Sequence, residues 1–165
     1  MNRRYALLAA LAMLACDPVH ASEVAALGGE TPGVPHGPLH RPGEACTLCH
    51  NGAFRQPSAF SVAGTVFETP SSMQGADGVT VTMVDATGAS YSATTNVAGN
   101  FYVTPSEWTP AFPITSAIVQ SRQVTATMYS EIGRNSSCGW CHTSPAGQSS
   151  PGYVSLQLDD GGTPP

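Results

Sequence analysis

The chain has 165 residues, with six Lys+Arg against eleven Asp+Glu and a formal net charge of −5 at pH 7. Only 10% of residues are charged and lysine is missing altogether, so neither nucleic acid nor an anionic membrane surface is an expected partner. A basic protein surface is the natural one, and the 17 Gly and 14 Pro residues argue against a helical bundle.

The first twenty-one residues have the three parts of an export signal: Arg3 and Arg4, the apolar run Tyr5 to Ala15, and a polar stretch ending in Val19-His20-Ala21. The apolar run is too short to span a bilayer, and no later segment is long or apolar enough. Cleavage after Ala21 would remove His20 and leave residues 22–165, room for one compact domain, in the periplasm, at the cell surface or secreted. Cys16, after Met13-Leu14-Ala15, offers lipoprotein processing and a membrane tether as the alternative. Leu is usual where Met13 stands, so a signal that is simply removed is the preferred reading.

Residues 22–58 are turn-rich. Pro32, Pro35, Pro38 and Pro42 break any helix ahead of Cys46-Thr47-Leu48-Cys49-His50, so this segment is expected to wrap rather than form regular structure.

Residues 59–130 differ in kind. Phe60 to Val66 and Val79 to Met83 alternate apolar with polar or small residues, as half-buried strands do. Tyr91 to Thr95, Phe101 to Val103 and Val124 to Met128 add three more strand candidates. Asp85-Ala86-Thr87-Gly88 and Asn96 to Asn100 have hairpin-turn chemistry. Short strands at this spacing predict a mainly β fold, a small antiparallel sandwich flanked by irregular segments. Residues 131–165 hold Cys138-Gly139-Trp140-Cys141-His142 and a polar tail, with one edge-strand candidate at Tyr153 to Leu158.

Two copies of Cys-x-x-Cys-His in a chain with five Cys and five His are not a coincidence. Each has the form of a covalent haem attachment site: two thiols can add to the two vinyl groups of one ring, and the adjacent histidine can ligate the iron. Cys46, Cys49, Cys138 and Cys141 are therefore the expected anchors of two haem c groups, with His50 and His142 as proximal ligands. A Cys₄ zinc site, disulfides or a redox dithiol are the competing chemistries, and none asks for histidine directly after both pairs. Zinc ribbons also bring their pairs closer than the 88 residues between Cys49 and Cys138.

Ala63-Gly64-Thr65-Val66, Gly78-Val79-Thr80-Val81, Asp85-Ala86-Thr87-Gly88, Thr94-Thr95-Asn96 and Gly99-Asn100-Phe101-Tyr102 together resemble the carboxypeptidase regulatory-like (transthyretin-like) β-sandwich. The resemblance covers roughly residues 60–130 and implies a scaffold rather than a reaction. Such a sandwich flanked by haem motifs is similar to exported bacterial c-type cytochromes, and this chain looks like a small two-haem member.

Beyond the signal, His36 and His40 are the only further histidines. Two spare imidazoles for two irons suit bis-histidine ligation, which leaves no open coordination position and describes an electron carrier. His40, six residues before Cys46, is the stronger candidate. In an extended segment His36 would sit up to about 13 Å from it and reach a second, closely spaced haem. Surface histidines in a proline-rich loop are the plainer alternative. Met128 and Met83 share strand faces with valines and read as core, while Met73 falls in a loop. Trp108, Tyr129, Trp140 and Tyr153 read as covers for haem faces and core filler. The leading expectation is a non-enzymatic electron-transfer protein whose redox partners are unspecified. Ligand binding or peroxidase-like chemistry at an open haem, and an assembly or adhesion role for the sandwich, are the alternatives.

Overall fold

The strand β2 (Thr80–Asp85) shows why the centre of this chain folds as it does. Val81, Met83 and Asp85 turn inward while Thr80, Thr82 and Val84 stay half-buried, the period-two pattern of a sheet with one face in the core. In the computed structural model, which describes residues 18–30, 32–34, 37–52, 59–70 and 72–157, β2 lies between β3 (Ser90–Thr94) and β5 (Ile114–Gln120). β6 (Thr125–Thr127) completes an antiparallel sheet of order β3-β2-β5-β6. β1 (Val62–Thr65) and β4 (Asn100–Val103) form a second, two-stranded antiparallel sheet. Val62, Val66, Val79, Val81, Met83, Phe101, Val103, Ile114 and Val119 fill the space between the sheets. The fold is the small antiparallel β-sandwich expected from the strand pattern, and Met83 is core, at 1% exposure.

Turn chemistry sets the connections. Asp85 Oδ1 accepts hydrogen bonds from the Thr87 hydroxyl (2.6 Å), the Thr87 amide (2.9 Å) and the Ala89 amide (3.1 Å), while Oδ2 accepts one from the Ala111 amide (3.0 Å). Gly88, at φ +83°, takes the left-handed step that the turn needs. The Thr87 hydroxyl first, then the Ala111 amide, hold the Asp85 carboxyl below its ordinary value of 3.8. A depressed carboxyl stabilises the fold above its unfolded pKa and loses that contribution as pH falls through the folded one. Asp85→Asn should therefore lower the urea midpoint at neutral pH, and the gap to the parent protein should shrink at about pH 3.

Four features differ from the sequence reading. β5, the longest strand, was not among the predicted runs. Its sequence, Ile-Thr-Ser-Ala-Ile-Val-Gln, gives no clean alternation, because three consecutive residues, Ser116 to Ile118, are all half-buried. β1 is buried at all four positions rather than at alternate ones, since Val62 and Gly64 meet the core and Cys138, the 136–137 segment pairs at Ala63, and the chain before the first motif bonds Thr65. A helix, α1 (Pro18–Ala26), begins the described chain where only turns were expected after Ala21. Proline is favoured in a first helical turn, and the Ala- and Val-rich run behind it holds no further proline or glycine. The apolar patch at residues 153–158 makes a single parallel bridge, Phe67 to Ser155, and no strand among its described residues.

Candidate functional site

Both Cys-x-x-Cys-His segments fold into one helical turn. The first is α2 (Cys46–Cys49) and the second a 3₁₀ turn (Cys138–Trp140). They close alike: the His50 amide donates to the Cys46 carbonyl at 3.0 Å, and the His142 amide to the Cys138 carbonyl at 2.9 Å. A helical turn sets positions i and i+3 side by side, so the two thiols of each motif share a face. All four thiols are free.

The sandwich brings the two turns together. Ala63 of β1 bridges Ser137 in parallel, its amide donating to the Ser136 carbonyl at 2.9 Å. Gly64 carries the Cys138 side chain directly above it, where an added Cβ would come 2.5 Å from the Cys138 sulfur. Gly139 backs onto the peptide before the first motif, where an added Cβ would sit 2.4 Å from the Glu44 carbonyl carbon and 2.8 Å from the Ala45 nitrogen. Burial pushes the Cys46 thiol up, and burial followed by the neighbouring Cys46 pushes Cys138 up to about 12.

His50 is buried, at 9% exposure. The loop after it returns so that the Phe60 amide donates to the His50 carbonyl at 2.9 Å, and the Phe60 ring then lies flat on the imidazole, with centroids 4.1 Å apart and planes 13° apart. Tyr102 of β4 extends the stack, 4.8 Å beyond Phe60. His40 also lies near-parallel to His50, at a centroid distance of 5.9 Å and an interplanar angle of 15°. Both histidines, Cys46 and Cys49 line one cleft of about 490 Å³. With each nitrogen about 2 Å from a metal and the ring centroid roughly 1 Å further back, two axial imidazoles have centroids about 6 Å apart. The His40–His50 pair has that separation, and a metal fits between the two rings where their edges, not their faces, are turned to it.

His142 is held by different means. Its Nδ1 stands 3.0 Å from the Gly152 carbonyl, and a carbonyl only accepts, so Nδ1 carries the proton and Nε2 keeps the lone pair. Burial lowers the His142 pKa, with the Gly152 bond acting the other way, so the neutral ligand form is favoured. Ser150 fixes that carbonyl's peptide: its hydroxyl accepts from the Thr143 and Gly152 amides and donates to the Thr143 carbonyl.

Of the sequence-predicted site residues, Cys46, Cys49, Cys138, Cys141, His40, His50 and His142 are all placed, the first motif with His40 in one cleft. His36 and Cys16 lie outside the described residues. Met128 follows β6, its amide donating to the Ala117 carbonyl at 2.9 Å, and Met73 is exposed. Trp108 stacks near Tyr91, and Tyr153 packs against Phe67. Trp140 and Tyr129 are solvent-exposed rather than core, at 42% and 82%. The sequence reading missed Phe60, Tyr102, Thr65 and Asn100 as parts of the site, because nothing local marks a residue that acts across a fold. Among the described residues no helix is long and apolar enough to cross a membrane, and no three His, Cys, Asp or Glu side chains converge on one point. No family model matches the chain, and neither the curated proteins nor the solved structures yield a match.

Proposed function

We propose that this chain is an exported dihaem c-type cytochrome that carries electrons, with a carboxypeptidase regulatory-like sandwich as its scaffold. The observation that carries the reading is the His40–His50 pair, 5.9 Å apart across a cleft whose edge is formed by Cys46 and Cys49. The chain's own residues do three things in this reading. Cys46 with Cys49, and Cys138 with Cys141, present paired thiols on one face of a turn to anchor each ring. His50, steadied by Phe60, and His142, steadied by the Gly152 carbonyl, supply the proximal nitrogens, while His40 supplies a distal one. The apolar stack of His50, Phe60 and Tyr102 keeps water from one side of the cleft. The haem, when bound, supplies a one-electron Fe(III)/Fe(II) couple; the protein supplies ligands, burial and orientation. With both His40 and His50 available to ligate iron at the first motif, a bound haem would be suited to electron transfer rather than catalysis. The acidic balance of the chain favours a basic redox partner outside the cytoplasm.

The test is covalent stoichiometry. Intact mass of the protein matured in a host with haem-attachment machinery should show two haems per chain. Cys46→Ala/Cys49→Ala and Cys138→Ala/Cys141→Ala should each lose one. A parent chain that emerges without haem would sink the proposal and return zinc or disulfide chemistry to the front.

A further inference from the structure

His40 sits in an arm that has no regular structure of its own, so something outside the arm must fix its distance to His50. The candidates are few. The His40 amide donates to the Gly37 carbonyl at 3.1 Å, a bond within the arm that moves with it. Arg41 ties the arm to Glu44 (2.8 Å) and to the Gly28 carbonyl (2.7 Å), both on the same N-terminal stretch. Among the described residues, the asparagines of the β3–β4 turn and β4, together with Thr65 of β1, bond the arm to the sandwich. Asn96 Nδ2 donates to the Pro38 carbonyl at 2.8 Å. Asn100 Nδ2 donates to the carbonyl of His40 itself at 3.0 Å and to that of Pro38 at 3.3 Å.

The Asn100 amide is locked from behind. The Gly43 amide donates to Thr65 Oγ1 at 2.8 Å, so the Thr65 proton is directed to Asn100 Oδ1, 2.7 Å away. Two backbone carbonyls on one side can only accept and a hydroxyl proton on the other can only be accepted, so the amide has a single allowed orientation. Thr65 and Asn100 are 4% and 7% exposed. A buried network with every member satisfied is rigid, whereas a half-satisfied one costs more than none. The network grips the arm at His40 and Gly43, on both sides of Arg41-Pro42.

We propose that Asn100, held by Thr65, is the positioning residue for the distal histidine: it fixes the His40 main chain on the sandwich and thereby sets the gap across which His40 and His50 face each other. The inference rests on the dihaem reading and goes beyond it, since Asn100, which also lines the cleft, acts through its bond to the His40 carbonyl. Asn100→Asp keeps the size but puts a carboxylate against two carbonyls, so it should release the arm while the thioether bonds keep the ring in place. Thr65→Val removes the hydroxyl alone and should give a weaker form of the same change.

The experiment uses the matured holoprotein and its Asn100→Asp, Thr65→Val, His40→Ala and Asn100→Asp/His40→Ala variants. Haem per chain is counted by pyridine haemochrome, and spin state is read from the oxidised visible spectrum. Expected is two haems in every variant. In Asn100→Asp about half the iron should turn high-spin and bind carbon monoxide when reduced. Added imidazole should restore the low-spin spectrum, and the double variant should resemble His40→Ala alone. A fully low-spin Asn100→Asp beside a high-spin His40→Ala would overturn the positioning role and leave the ligand assignment standing. So would high-spin iron that imidazole does not restore and that comes with lost β-sheet circular dichroism, because that is plain unfolding. A low-spin His40→Ala, by contrast, would refute His40 as ligand, and the positioning role with it.

Discussion

Replacing His40 with alanine is expected to leave both haems attached and to open one iron. In the proposed reading Cys46, Cys49 and His50 would hold the ring at the first motif, and the substitution changes none of them. His40, the proposed distal ligand, lies in a segment joined to the sandwich by a handful of hydrogen bonds. Loss of one axial imidazole converts a six-coordinate iron into a five-coordinate one with a vacant face. About half of the iron in the protein should therefore become high-spin and gain rapid carbon monoxide binding in the reduced state. The neighbouring haem, anchored by Cys138 and Cys141, should keep its spectrum. Stopped-flow mixing with carbon monoxide measures both parts at once, as an amplitude and a rate. A variant with unchanged spin state would show that His40 and His50 face each other for another reason, such as simple packing in the cleft.

The second large effect is expected at Gly139, between the cysteines of the second motif. Here the clash is with backbone: the Glu44 carbonyl group and the Ala45 nitrogen lie 2.4–2.8 Å from where a methyl would be. A side chain can rotate away, but a main chain that leads straight into Cys46 cannot move without disturbing the first motif. Gly139→Ala should cost about 3 kcal/mol, the upper part of the usual overpacking range, against a total stability of roughly 5–15 kcal/mol for a domain. Because the obstruction spans both motifs, the spectra of both haems should shift together. Gly147→Ala in the same C-terminal segment is the control, since nothing lies within 4 Å of its added Cβ. Urea unfolding of the two variants settles the comparison, and equal midpoints would show that the turns are not pressed together as described.

Much of this was legible in the chain. The two turns follow from Cys-x-x-Cys-His, because the pattern is local: five consecutive residues make one turn. β2 was legible because Val81 and Met83 alternate with threonines. β5 was not, since its two faces are buried to similar depth along Ser116 to Ile118, and periodicity carries no signal where both sides are half-covered. β1 was found for a reason that does not hold in the fold: its alternating sequence suggested one wet face, whereas all four residues are buried and Gly64 has Cys138 directly over it. Asn100 read as a turn residue, and its neighbour Gly99 does turn there at φ +76°. Its other task, gripping a carbonyl sixty positions earlier, leaves no trace in the local pattern.

The two-haem account meets its most direct test in the visible spectrum of the matured protein, taken oxidised and dithionite-reduced, with haem counted per chain by pyridine haemochrome. The prediction is two covalent haems, with the iron at the His40–His50 cleft six-coordinate and low-spin and no methionine charge-transfer band. A chain that matures without haem, or one whose iron is wholly high-spin, would contradict it.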